Sequence, residues 1–343
     1  MSTPKPLPPT ETLALPNSLT LAPRIKLLLT LHRADDSVSP LDTWLLKTSL
    51  ISFLESSFSI SLPLPDLHIV PFKDLKKRKR HDPVARGTII IRDLDFASLK
   101  LSKFEEEEGE EEKGRVLERK FAEWRKNAVE KMDGMEMRIV GDRFKLSVEV
   151  PVGDDFERMK KEWEELAAFG NRGYARGGRR LPDTIILKGV PTRWFVEPLV
   201  PDRPSQIVTH TIFSALGEIR TLDVKEDNDT CNLEDEEDGY TVPGLHCKII
   251  VRYKEYSDFC NALKVLSGRS LQKQGSRLKA DYEVTWDKDG FGNARSQPEE
   301  TDRWMPSNRY SREDGQSYNS RFSSEKGRPK RFKVGNKCPL LVS

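Results

Sequence analysis

One element order is written twice in this chain, and the repetition limits its possible folds more than any single motif does. In the first copy, Ile25–Leu31 is an aliphatic run of strand length. Ser39-Pro40 then offers a hydroxyl cap followed by proline in the first turn of a helix. Leu41, Trp44, Leu45 and Thr48 set one face of that helix, which is expected to end near Phe58. Leu67–Phe72 reads as a second strand, and Gly87–Arg92, rich in β-branched residues, as a third. Leu117, Phe121, Trp124 and Ala128 recur at helical spacing, the stripe of an amphipathic helix. Phe144–Val150 alternates apolar and polar residues, as a half-buried strand does. A chain in the order strand, helix, strand, strand, helix, strand can close an antiparallel sheet with two helices on one face.

The order returns after a helix at Asp154–Phe169, where Phe156, Met159, Trp163 and Leu166 share a stripe. Asp183–Val190 is a strand, Pro204–Leu216 a helix stopped by Gly217, and Ile219–Val224 a strand. His246–Tyr253 is a strand, Tyr256–Leu266 a helix ended by Gly268, and Leu278–Trp286 the last strand. The expected fold class is α+β, with tandem βαββαβ ferredoxin-like repeats, the second like an RNA-recognition motif, between disordered termini. Residues 1–23 form a Pro-rich segment with too few apolar residues to fold alone. Residues 24–150 form a divergent first repeat with charged insertions, and 151–181 a helix and a basic, glycine-rich linker. Residues 182–286 form the second repeat, and 287–343 a disordered tail containing Ser and Arg.

Charge is high but balanced: 57 Lys and Arg against 55 Asp and Glu, a net charge of +2. Grouping therefore matters more than the total. Glu105–Glu112 is a self-repelling acidic block, and a second acidic run, Glu226–Asp238, joins two strands of the second repeat. Lys76, Lys77, Arg78, Lys79 and Arg80 are consecutive in a connection between strands, the pattern of a nuclear import signal. Arg328–Lys333 is a weaker second cluster. Arg172, Tyr174, Arg176, Arg179 and Arg180 combine charge, glycine and a ring, a composition that binds single-stranded RNA.

Several chemistries find no footing. No segment approaches the roughly 20 apolar residues of a membrane span, and Met1–Pro23 lacks the pattern of a signal peptide. A soluble, intracellular chain is expected. Cys231, Cys247, Cys260 and Cys338 are too far apart for a zinc ribbon or redox pair. The five histidines are scattered, and no phosphate-cradling glycine loop occurs. No enzyme activity, cofactor or metal is expected.

In the second repeat, Ile185–Val190, Ala215–Ile219 and Cys247–Tyr253 resemble the first-strand motif, the helix-to-strand turn and the third-strand motif of an RNA-recognition motif. Such domains stack unpaired bases on rings of the two central strands. Here Ile186, Lys248 and Ile250 stand in the ring positions. Each missing stack forgoes roughly 1–3 kcal/mol, leaving Lys188 and Lys248 to contact phosphate. Trp194-Phe195 reads first as packing beneath the helix end, with a partner-docking pair as the alternative.

Leu181–Phe195, with its Pro-Asp-Thr-Ile strand and Trp-Phe pair, resembles the splicing-factor-type A-kinase anchor proteins of the seventeen-A family. Phe213–Arg220, Tyr253–Tyr256 and Phe144–Glu149 resemble further blocks of that family. The resemblance implies a nuclear, speckle-associated protein acting in pre-mRNA splicing, with splicing-associated proteins and RNA as partners and no membrane. Kinase anchoring, attributed in that family to a long helical C-terminal region, is not carried over, because this chain ends in an unpatterned tail. The function expected is a nuclear adaptor in pre-mRNA processing with weak or nonspecific RNA binding. The alternative is a protein-interaction scaffold whose recognition fold binds no RNA.

Overall fold

The computed structural model describes residues 8–34, 42–72, 82–94, 110–139, 142–170, 181–198, 200–226 and 245–292. In chain order the elements begin with β1 (Leu13–Leu15), β2 (Leu19–Pro23), β3 (Ile25–Arg33), α1 (Thr43–Phe58), β4 (Leu67–Pro71) and β5 (Ala85–Ile91). Then come α2 (Glu110–Met132), β6 (Glu136–Ile139), β7 (Asp142–Glu149), α3 (Phe156–Gly170), β8 (Thr184–Pro191), β9 (Val196–Glu197) and β10 (Val200–Pro204). The remainder are α4 (Gln206–Phe213), β11 (Ile219–Glu226), β12 (His246–Tyr253), α5 (Tyr256–Leu266), β13 (Arg269–Lys273), β14 (Lys279–Ala280), β15 (Glu283–Trp286) and α6 (Lys288–Gly292).

The fold is α+β, built from two βαββαβ repeats. The first sheet runs β4-β5-β3-β7-β6 and the second β11-β12-β8-β15, with every pairing antiparallel. In both, the first and third strands of the repeat lie at the centre, as the ferredoxin-like order requires. β6 is an extra strand folded back on β7. The alternation of β3 turns Ile25, Leu27, Leu29 and Leu31 into the first core, and the alternation of β12 turns Cys247, Ile249, Val251 and Tyr253 into the second. Each fully buried aliphatic side chain adds about 1.5–3 kcal/mol of hydrophobic stabilisation.

α1 starts where Asp42 accepts from the backbone N–H groups of Trp44 and Leu45 at 3.0 and 3.1 Å. It stops at Ser59, whose φ of 57° is left-handed. The expected inner face of this helix is corrected. Leu46, Leu50, Leu54 and Phe58 are buried, whereas Trp44 is 63% exposed.

Three expected boundaries also change. First, residues 13–23, assigned to a disordered Pro-rich segment, form the β1–β2 hairpin around Asn17 and Ser18, both at positive φ. β2 pairs with β13, and this third sheet runs β1-β2-β13-β14, burying Leu15, Leu19 and Leu21 against the second core. Apolar alternation with a partner strand near the other end of the chain outweighs the prolines. Second, α3, assigned to the linker, is part of the second core. Trp163 meets Phe259 at 5.6 Å and Trp286 at 5.9 Å, both edge to face. Third, the tail assigned from 287 onward begins with α6, where Asp287 accepts from the Gly290 N–H at 2.9 Å. The final expected strand is also shorter, since β13 and β14 form a ribbon before β15.

A buried polar clamp joins the repeats. Arg24, between β2 and β3, donates to Asp154 Oδ2 at 3.0 Å and Oδ1 at 3.3 Å, and to the carbonyls of Arg269 and Tyr282, each at 3.2 Å. Arg92, at the end of β5, donates to Asp281 Oδ2 at 2.6 Å and to Asp66 at 3.0 Å. Ser270 also donates to Asp281. Burial would raise the Asp281 carboxyl, but the Arg92 and Ser270 hydrogen bonds outweigh it and hold the group below its ordinary value. Burial pushes Asp154 upward, against the pull of Arg24 and Lys26. Gly153 lies so close to β15 that a Cβ there would sit 2.4 Å from the Val284 carbonyl oxygen. All the described residues fall within one compact unit, Met1–Arg295.

Candidate nucleic-acid interface

Alternation assigns the open face of the second sheet residue by residue. Where β8 turns Ile185, Leu187 and Val190 inward, Ile186 and Lys188 face the other way. Along β12, Lys248, Ile250 and Arg252 share that open side, all half-buried. The register sets Ile250 across from Ile186, Lys248 across from Lys225, and Arg252 across from Thr221 and Thr184. Thr285 borders Ile186, and Glu283 borders Lys188. The centre of the platform is therefore a pair of isoleucines with four cations around it. Among the described residues, no aromatic side chain occupies the open side of the two central strands. The rings of these strands point inward instead: Tyr253 is fully buried, and burial drives its hydroxyl far above the ordinary tyrosine value.

Carboxylates hold part of this positive charge. Arg252 donates to Asp183 at 2.7 Å, and Lys225 lies 2.6 Å from Asp223. Such partly exposed pairs contribute at most about 1 kcal/mol, so a phosphate can exchange for either carboxylate at low cost. The sequence pattern singles out neither Arg252 nor Lys225, although a step of two along the strand from each of Lys248 and Ile250 leads to Ile250 and Arg252 in turn.

The other expected site residues divide into two groups. Trp194 is 7% exposed and Phe195 fully buried, and Phe195 stacks on Phe213 at 6.3 Å. Packing beneath the helix end is therefore the reading that holds, and the docking alternative is corrected: both belong to the core under α4, next to the short turn at Thr192–Trp194. Arg172, Tyr174, Arg176, Arg179 and Arg180 lie outside the described residues, as do Lys76, Lys77, Arg78, Lys79 and Arg80. Only Lys188 and Lys248 of the expected RNA contacts are placed, and they share one face.

Among the described residues, no group of three His, Cys, Asp or Glu side chains could hold a metal ion. Cys247 is buried and Cys260 half-buried, and burial pushes the Cys260 thiol up, away from the nucleophilic thiolate. No helix among the described residues is long and apolar enough to cross a membrane.

Comparison with known proteins agrees with this architecture. Residues 117–314, more than half of the chain, match the family model described as AKAP-17A-like, RNA-binding domain. The match begins inside α2, so β3, β4 and β5 lie outside it. A curated human relative, A-kinase anchor protein 17A, is 26% identical over 239 residues, which is 66% of this chain and 32% of the relative. The chain thus spans about a third of that relative's length. It belongs to the AKAP-17A-like RNA-binding domain family.

Proposed function

We propose that this chain is a nuclear adaptor in pre-mRNA processing that binds RNA weakly and without base selectivity. The observation that carries this reading is the open face of the second sheet, where Ile186 and Ile250 occupy the centre and Lys188, Lys225, Lys248 and Arg252 surround it. A face with cations, and with no rings among the described residues of its central strands, gains its affinity from phosphates, so binding falls steeply with salt and barely depends on sequence. The segment containing Arg172, Tyr174, Arg176, Arg179 and Arg180 adds to the same electrostatic contact. Lys76–Arg80 directs the chain to the nucleus, where its protein partners are splicing-associated. The family description supports RNA as the ligand. Kinase anchoring, named in the human relative, is not part of this reading, since the match covers 32% of that protein. The protein acts by binding, not by catalysis.

A second reading is a protein-interaction scaffold that binds no RNA. It is favoured by the pairing of Arg252 with Asp183 and of Lys225 with Asp223, which withdraws charge from the face. Ultraviolet crosslinking of the tagged chain in nuclei separates the two. Recovery of intronic and exonic RNA without an enriched motif, together with splicing proteins, is expected. Recovery of proteins without RNA would replace the adaptor reading with the scaffold.

A further inference from the structure

A cleft of about 350 Å³ opens between the repeats, walled by α2 and the start of β3 on one side and by the α5–β13 connection and Phe156 on the other. Its lining carries seven cations against four carboxylates. Arg24 is paired with Asp154, Arg125 lies 3.6 Å from Asp155, and Lys264 lies 2.8 Å from Glu118.

Arg269 is held unlike the others. Its side chain is buried at 3% exposure, and its terminal nitrogens donate to backbone carbonyls: Val265 at 2.8 Å, Pro8 at 2.8 Å and Glu11 at 3.5 Å. Its Nε is buried with no hydrogen-bond partner. The Glu11 carboxylate supports it only through its charge. Burying a cation among neutral acceptors is costly, and an unmet donor adds to that cost, so the arrangement favours an incoming anion. The lining also holds an apolar wall of Ile25, Phe121, Val150 and the half-buried Phe156. A bare anion would use the charges and waste that wall. A nucleotide uses both, because single-stranded RNA offers phosphates together with unstacked bases.

We infer that this cleft receives one nucleotide of a single-stranded RNA, its phosphate held by Arg115 and Arg119 in the field of the buried Arg269 charge and its base laid against Phe156. The inference rests on the RNA reading above and adds a second contact, separate from the open sheet face. The test is affinity of the full chain for a fluorescent single-stranded RNA of mixed sequence, measured across a salt series. Arg115 and Arg119 are exposed on α2, so R115A/R119A leaves the core intact. It is expected to lower affinity and to flatten the salt slope by about 0.7 for each phosphate contact removed. F156L keeps an apolar side chain beside Trp163 and is expected to weaken binding several-fold without changing the slope. With a 4-thiouridine RNA, crosslinked peptides should include Phe156. The cleft assignment is overturned if R115A/R119A and F156L bind like the parent while K188A/K248A weakens binding, an outcome that leaves the RNA reading standing. If the parent chain has no affinity even at low salt, both readings fall. Displacement of the RNA by an equimolar phosphoserine peptide would give the cleft to a different ligand and overturn the inference.

Discussion

Asp281 receives hydrogen bonds from Ser270 and Arg92 and lies 3.3 Å from Arg24 Nε, so one carboxylate links both repeats. Its folded value lies below the ordinary 3.8. The stabilisation it gives is therefore complete above that ordinary value and is lost as pH falls through the lowered one. Asp154 works in the opposite sense, because burial raises it and protonation then favours the folded state. D281N is expected to show a shallower loss of urea midpoint than the parent as pH falls below about 4. Parallel curves would show that Asp281 has no such linkage. At this scale the sequence says little. Arg24 follows Pro23 like any exposed basic residue, and its carboxylate partner is 130 positions away.

The helices show where local pattern suffices and where it does not. Of the α3 stripe Phe156, Met159, Trp163 and Leu166, the first three join the second core while Leu166 is 46% exposed. Which core they enter is not legible, since the ring partners Phe259 and Trp286 lie about a hundred residues downstream. W163A should cost about 3–5 kcal/mol and free α3, which proteolysis within residues 156–170 would report. Unchanged protection would mean that α3 is held by something other than this ring cluster. α1 was misread because apolar residues surround it: Leu45, Ile51 and Phe53 are partly buried beside the true stripe. The hairpin β1–β2 was hidden by its prolines. Its Leu13-Ala-Leu15 and Leu19-Thr-Leu21 alternation was visible, while the strand that needs it, β13, is remote in sequence. On the second sheet the period of two made Ile186, Lys248 and Ile250 readable as one face, whereas Trp194 and Phe195 depend on how the turn after β8 folds.

For the whole molecule, the element order of both repeats was legible from periodicity, but their union was not. The clamp of Arg24, Asp154, Asp281 and Arg92 predicts that the repeats unfold together in one transition. R24M leaves Asp154 buried without its partner, a change of about 3–5 kcal/mol, and should split or broaden the calorimetric transition. Two separate transitions in the parent chain would show the repeats to be independent. The cleft and the open face, whose described central strands carry no ring, follow from this union and from strand register respectively, and both enter the RNA contacts proposed above. The most direct measurement is the affinity of the full chain for several single-stranded RNAs of unrelated sequence, each followed from low to physiological salt. Similar affinities that fall together with a steep salt slope are expected. A tight complex with one sequence that persists at high salt, with bases flat on the Ile186–Ile250 face, would contradict it.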